Sequence, residues 1–315
     1  MSTCLITGGG GNLACQLTWI LSERFERIVL LDVVAAPVGK VAVNAEFERG
    51  DLSDVKLLEE VFERFLPTVV IHLASLLSGS CEENRVRGWQ VNMNGTFALF
   101  ETALRYKCST VFFTSSIAAF GGDLPKVLND STPQWPDGLY GVTKMSAERL
   151  GVYYHRKHGM DFRCLRLPTT VSRHAQDGAI SALASRAFIE AVRTGRFIFC
   201  SHPDTLLALI YVDDVFRAIS LLLAAQAPRL SQRVYNIGAI TATPRQIADA
   251  IYRRLPNAAV SFMPEEPAAS LLASWPGQID DGAARQDWGW SAEFNLERMA
   301  DDFITRLQRE FAQAT

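Results

Sequence analysis

Excess charge of one sign, paired cysteines, clustered histidines and long apolar runs are all missing from this 315-residue chain. Lys and Arg number 31 against 34 Asp and Glu, with no run of like charge, so there is no basic field to draw nucleic acid. The cysteines (Cys4, Cys15, Cys81, Cys108, Cys164, Cys200) are widely spaced and form no C-x-x-C pair, which excludes a zinc site and a disulfide framework. Several lie in apolar runs and read as buried thiols. His72 ends a strand-like run and reads as packed or hydrogen-bonded. His155, His158, His174 and His202 lack partners at metal-ligand spacing, so no metal is expected. No apolar stretch approaches the roughly 20 residues of a membrane helix. A strand-like run opens at Thr3 with no basic and apolar leader before it, so a soluble, cytoplasmic protein is expected, with neither membrane nor nucleic acid as partner.

What is present is alternation. The runs Thr3–Thr7, Arg27–Asp32, Thr68–Ala74, Ser109–Ser115 and Asp161–Leu167 are β-branched and apolar without a two-residue period, as buried parallel strands are. Helical segments separate them. The clearest, from about Glu83 to Tyr106, repeats Val86, Trp89, Met93, Phe97, Phe100 and Leu104 at spacings of three and four, which predicts one apolar face. Such alternation predicts a doubly wound parallel α/β sheet. Beyond Leu167 come helices near Ala179–Arg193, Asp213–Ala225 and Thr243–Arg254, a short strand Val234–Ile237, and a last amphipathic helix from Phe294. The expected organisation is a Rossmann nucleotide-binding domain over 1–167 with about 205–240, and a smaller C-terminal substrate lobe over about 168–204 with 241–315.

The turn Thr7-Gly-Gly-Gly-Gly-Asn-Leu-Ala14 follows the first strand and opens a helix. Gly8 and Gly11 have the spacing of a tight turn beneath a pyrophosphate, whose charge would meet free backbone N–H groups of Asn12 and Leu13 at the positive end of the helix dipole. A merely flexible glycine loop is the plain alternative. Asp32 ends the second strand about 20 residues on, where a carboxylate accepts from the adenosine ribose and repels a 2′-phosphate, so NAD is favoured over NADP. Asp51 and Leu52 follow a third strand, either flanking the adenine or, for Asp51, capping a helix that starts near Ser53.

Tyr140 and Lys144 stand four apart on one helix face, and Ser115 and Ser116, 25 and 24 positions upstream, end a strand at the carboxyl edge where such sheets bind ligands. A second pair of that spacing, Tyr153 and Lys157, lies among His155, Arg156 and His158 and reads as a surface pair. An ammonium and the positive nicotinamide ring both favour a phenolate, so Tyr140 is expected to titrate below its ordinary value and act as general base. Ser116 would hold the reacting oxygen, Lys144 would grip the nicotinamide ribose, and Asn92 would either hold a relay of protons towards Lys144 or make a structural hydrogen bond.

Together with His72-Leu73-Ala74, Gly95-Thr96, Thr114-Ser115-Ser116, Phe120-Gly121 and Leu165-Arg166-Leu167-Pro168, these residues resemble the extended short-chain dehydrogenase/reductase family over most of the chain. The resemblance implies that Leu73, Ala74, Thr114, Leu167 and Pro168 also line the cofactor. Within the family, His72-Leu-Ala-Ser-Leu-Leu-Ser78, Asp161-Phe-Arg-Cys-Leu-Arg166 and Ser274-Trp-Pro276 resemble the short-chain L-threonine 3-dehydrogenase branch. The loop from Thr169 to Ser185 is more similar to the D-erythronate dehydrogenase branch. Both imply a substrate with a carboxylate beside a secondary alcohol, met by Ser75, Ser78, Ser116, Tyr140, Thr169, Thr170, Arg173 and Ser181. Arg173 reads equally as a carboxylate partner or a solvated loop arginine. The resemblance also implies a homodimer built on the helices carrying Trp89 to Phe100 and Tyr140 to Tyr153. Sugar-nucleotide epimerases and dehydratases share the cofactor machinery and form the alternative.

Overall fold

Five residues, Thr3–Thr7, form the fully buried strand β1 in the interior of a seven-stranded sheet in this computed structural model, which describes residues 2–36, 39–175 and 179–313. The other strands are β2 (Arg27–Asp32), β3 (Ala45–Arg49), β4 (Val69–His72), β5 (Thr110–Ser116), β6 (Asp161–Leu167) and β7 (Val234–Asn236). Their order is β7-β6-β5-β4-β1-β2-β3, and the registers from β3 across to β5 are parallel. The chain therefore reverses direction across the sheet after β3, which opens a crevice at the carboxyl ends of β1 and β4.

Contacts divide the chain into two units: Met1–Phe120, Pro133–Arg166 and Ala218–Tyr235 in one, and Gly121–Thr132, Leu167–Arg217 and Asn236–Thr315 in the other. In the first, the helices are α1 (Asn12–Leu21), α2 (Val55–Phe65), α3 (Ser78–Glu83), α4 (Arg85–Trp89), α5 (Thr96–Arg105) and α6 (Leu139–His158). Leu58, Phe62, Leu99, Phe100, Ala103, Ala147 and Tyr154 from α2, α5 and α6 pack on Leu5, Val29, Val70, Val111 and Phe162 of the sheet. Side chains of this size contribute about 1.5–3 kcal/mol each when buried.

The long helix expected from Glu83 to Tyr106 is instead three segments, because a π-helical turn, Gln90–Gly95, separates α4 from α5. The wider turn shifts the phase of the helix. Val86, Trp89 and Phe97 consequently lie exposed, while Gly88, Asn92, Thr96, Leu99 and Phe100 are buried, so the expected single apolar face does not form.

The second unit holds α7 (Leu183–Thr194), α9 (Pro244–Arg254), α10 (Ala268–Ser274), α11 (Gly282–Trp288) and α12 (Leu296–Gln313). Between α7 and α9 in the chain comes α8 (Val212–Ala224), which passes from the second unit back into the first. A capping box of Thr243 and Gln246 starts α9. Phe188 and Tyr211 pack edge to face against Phe303 where α7 and α12 meet, with ring centroids 5.8 and 5.9 Å from it. Three short strands, Thr169–Val171, Leu207–Tyr211 and Ile240–Ala242, form a separate sheet in this unit. No helix among the described residues is long and apolar enough to cross a membrane.

Candidate active site

The glycine turn is built by close approach. Gly8 has φ +73°, and a Cβ there would lie 2.7 Å from the Ala74 backbone nitrogen. A Cβ on Gly10 would lie 2.1 Å from the Val34 carbonyl oxygen. Only glycine lets the turn sit this low against the ends of β2 and β4. Gly11 enters α1 with extended backbone and no side-chain cap, which leaves the helix N-terminus facing outward as an anion site. Asp32 accepts hydrogen bonds from Gly10 N–H (3.0 Å) and Val34 N–H (3.1 Å), so its carboxylate is fixed beside the turn. A cradle closed to any Cβ, an uncapped helix start and an anchored carboxylate together fit a dinucleotide without a 2′-phosphate.

Asp51 does not cap α2, because Asp54 does so through Lys56 and Leu57 N–H. Burial would raise Asp51, but hydrogen bonds from Ser53 and Arg87 outweigh it and hold the carboxyl below its ordinary range. Leu52 is buried, close enough to Gly95 that a Cβ there would meet it at 3.0 Å. Leu73 N–H donates to Thr7 O at 3.2 Å, and Ala74 N–H reaches Thr7 Oγ1 at 3.4 Å.

Ser116 closes β5 and starts a short 3-10 turn, Ile117–Ala119, its Oγ accepting from Ala118 N–H at 3.1 Å. Gly141, inside the Tyr-x-x-x-Lys motif, explains how α6 comes so near: a Cβ there would lie 2.0 Å from the Ala118 carbonyl oxygen. Tyr140 is half-buried and hydrogen-bonded to Ser116. In the protein alone Tyr140 is pushed up to about 12, because burial outweighs the bond from Ser116; the lowering expected for it includes the charge of the nicotinamide ring. Lys144 is buried, donates to the Thr114 carbonyl at 2.8 Å, and lies over the rings of Phe113 (4.7 Å) and Tyr140 (5.4 Å). Burial brings it down to about 8, against the raising influence of Cys164, Cys81 and Glu148. By contrast Tyr153 and Lys157 are exposed.

Asn92 grips one backbone position from both sides: Oδ1 accepts from Leu76 N–H (2.8 Å), and Nδ2 donates to Leu76 O (3.0 Å) and to Thr143 Oγ1 (3.2 Å). It thereby ties the loop carrying Ser75 to α6. Ser75 Oγ donates to Leu76 O at 3.2 Å, and Ser78 opens α3, exposed.

Two buried networks lie behind these residues; His72 is hydrogen-bonded as expected, while its partners and the whole of the second network escaped sequence reasoning. His72 bridges Thr7 Oγ1 (2.7 Å) and Thr96 Oγ1 (2.8 Å), and Thr96 donates to Asn92 O at 2.6 Å. Thr96 therefore accepts from His72 Nε2–H, leaving Nδ1 to accept from Thr7. Burial first, then the Lys144 charge, bring His72 down to about 3, so the ring is neutral. In the second network Glu148 and Arg166 form a two-pronged ion pair, at 2.9 and 2.7 Å, with Ser115 and Gln134 also donating to the carboxylate. The spacing Tyr140, Lys144, Glu148 on one helix face was the available signal.

In the second unit Pro168 lines a small cavity with Leu209, Gly238, Ile240 and Arg285. Thr169 and Thr170 lie on a strand, and Thr170 Oγ1 donates to Pro168 O at 3.4 Å. Arg173 is on the surface, paired with Glu310 at 2.5 Å, and Ser181 is exposed in a 3-10 turn. Residues 176–178 of this loop lie outside the described residues.

Fold and turn together define a dinucleotide-binding protein of the Rossmann class, and residues 4–238 match the NAD dependent epimerase/dehydratase family. The chain belongs to that family, the extended short-chain dehydrogenases, and is an NAD-dependent dehydrogenase. The mitochondrial L-threonine 3-dehydrogenase of Bos taurus is 36% identical over 306 residues, covering 95% of this chain and 81% of the bovine one. The L-threonine dehydrogenase of Clostridium difficile superposes with a TM-score of 0.92 at 30% identity, covering 98% of both chains. The GalE-like L-threonine dehydrogenase of Cupriavidus necator, in its holo form, gives 0.90 at 32% identity, covering 97% of this chain and 99% of that one.

Proposed function

We propose that this enzyme oxidises the secondary hydroxyl of a small hydroxy acid or hydroxy amino acid, with L-threonine the first candidate and D-erythronate the second. The hydrogen bond between Ser116 and Tyr140, with Lys144 buried beneath the phenol ring, carries the reading. The names of the relatives favour threonine, and the loop after Pro168 keeps erythronate in view. The bound cofactor supplies the hydride acceptor and a positive charge. Ser116 holds the substrate oxygen, and Tyr140 takes its proton. Because the protein alone keeps Tyr140 protonated, the phenolate is reached only when positive charge is added beside it. Gly8, Gly11, Asn12 and Leu13 hold the diphosphate, Asp32 the adenosine ribose, and Lys144 the nicotinamide ribose. Asp51, Leu52, Leu73, Ala74 and Thr114 complete that site.

NADH formation against L-threonine, D-erythronate and their stereoisomers tests the proposal. Turnover of one of them, lost in Tyr140→Phe while NAD binding persists, is the expected result. No turnover with any overturns it, and conversion of a sugar nucleotide without net NADH would favour the epimerase alternative. We also propose a homodimer, supported by the exposed Val86, Trp89, Phe97 and Tyr153 on α4, α5 and α6.

A further inference from the structure

We propose that Glu148, paired with Arg166, is a positioning residue that holds the end of β5 and the Lys144 ammonium in the arrangement NAD binding requires. The inference rests on the placement of Lys144 in the cofactor site. Glu148 is 1% exposed and Arg166 is 5% exposed, so neither charge is solvated. The pair joins three elements. Glu148 sits one turn beyond Lys144 on α6, Arg166 comes from β6, and Ser115, next to Ser116 on β5, donates to Glu148 Oε1 at 2.5 Å. Gln134 Nε2 donates to Oε2 at 2.9 Å, and the Arg166 guanidinium stacks 4.8 Å from the Phe120 ring centroid. The carboxylate thus accepts from Ser115, Gln134 and Arg166, which locks the ends of β5 and β6 against the catalytic helix.

A buried pair of this kind is costly unless its geometry is good, and a hydrophobic replacement is often no less stable. Its charge has a second use. Lys144 is surrounded by Tyr140 and Glu148 on its own helix, the Phe113 ring and Thr114 carbonyl on β5, neutral His72 on β4, the thiol of Cys81 on α3 and that of Cys164 on β6. Glu148 is the carboxylate among the groups acting on Lys144, and it favours the ammonium that burial disfavours. Arg166, beyond it, partly cancels that support.

The two partners therefore act on Lys144 with opposite sign. Glu148→Gln keeps the shape but removes the negative charge that supports Lys144, which disfavours the ammonium. Arg166→Gln leaves Glu148 uncompensated, which favours it. The experiment is NAD affinity, read by quenching of tryptophan fluorescence without any hydroxy acid, as a function of pH. In the native enzyme affinity falls as pH rises through about 8, where Lys144 loses its charge. The midpoint should move lower in Glu148→Gln and higher in Arg166→Gln. The double variant should return near the native value. Should Glu148→Gln not fold, the rise in Arg166→Gln decides alone. Midpoints that stay in place, or move the same way, overturn the inference and mark the pair as structural only. A native affinity flat through pH 8 removes Lys144 from the cofactor site, and this inference with it, while leaving the substrate assignment to the turnover assay.

Discussion

Replacing Gly141 by alanine sets a helix-stabilising substitution against the geometry of the site. In an exposed helix Ala is better than Gly by about 1 kcal/mol. Here the added Cβ would stand 2.0 Å from the Ala118 carbonyl oxygen, whereas ordinary contact begins at 3.4 Å, so α6 and the turn after Ser116 must separate by more than 1 Å. Gly141 adjoins Tyr140, and Ala118 donates its N–H to Ser116 Oγ, so the separation falls on the Ser116–Tyr140 hydrogen bond. A displacement of about 1 Å at a reacting centre costs on the order of 100-fold in rate. We expect kcat to fall by about that factor in Gly141→Ala, with a smaller loss of NAD affinity through Lys144 on the same helix, because the glycine turn is untouched. Gly151→Ala is the control on the same helix: its Cβ would meet the Phe162 ring at 2.2 Å, away from Ser116, so it should lower Tm with kcat of the folded enzyme retained. Unchanged kcat together with a raised Tm in Gly141→Ala would refute the close-approach argument.

Acid should unfold the protein in part through His72. Its folded value of about 3 lies below the unfolded 6.5, so the unfolded chain binds the proton first, and stability present above pH 6.5 is lost as pH falls towards 3. The loss amounts to up to about 5 kcal/mol, and urea denaturation at stepped pH should show it shrinking in His72→Gln. Arg166→Met leaves Glu148 buried and unpaired and should cost about 3–5 kcal/mol, with Glu148→Leu/Arg166→Met costing less, as measured by chemical denaturation. Charge placed on the exposed apolar helices, as in Trp89→Asp/Phe97→Asp, should lower the sedimentation coefficient to that of a monomer with NAD binding intact. Asp32→Ala removes the acceptor for Gly10 and Val34 N–H and should weaken NAD binding about tenfold or more by calorimetry.

Strands and cofactor turn were legible because their causes are local. Buried parallel strands are continuous apolar runs, and β1, β2 and β6 appear at the residues where those runs lie. The turn needs glycine for steric reasons that one segment states by itself, and Asp32 stands at the end of the next strand. The pair Tyr140 and Lys144 could be separated from Tyr153 and Lys157 by their sequence neighbours, and exposure of the second pair agrees. The helix before β5 was misread because a π-helical turn leaves no mark in apolar spacing, and one such turn rotates every residue before it.

What the sequence determined alone was the chemistry available: a phenol, an ammonium and a hydroxyl on elements that a parallel sheet gathers at one edge. Tertiary structure decided the protonation of those groups. Burial raises Tyr140, lowers Lys144 and keeps His72 neutral, and desolvation depends on what packs over a group rather than on its neighbours in the chain. It also brought Glu148 and Arg166 together from α6 and β6, 18 residues apart, a pairing no local rule announces.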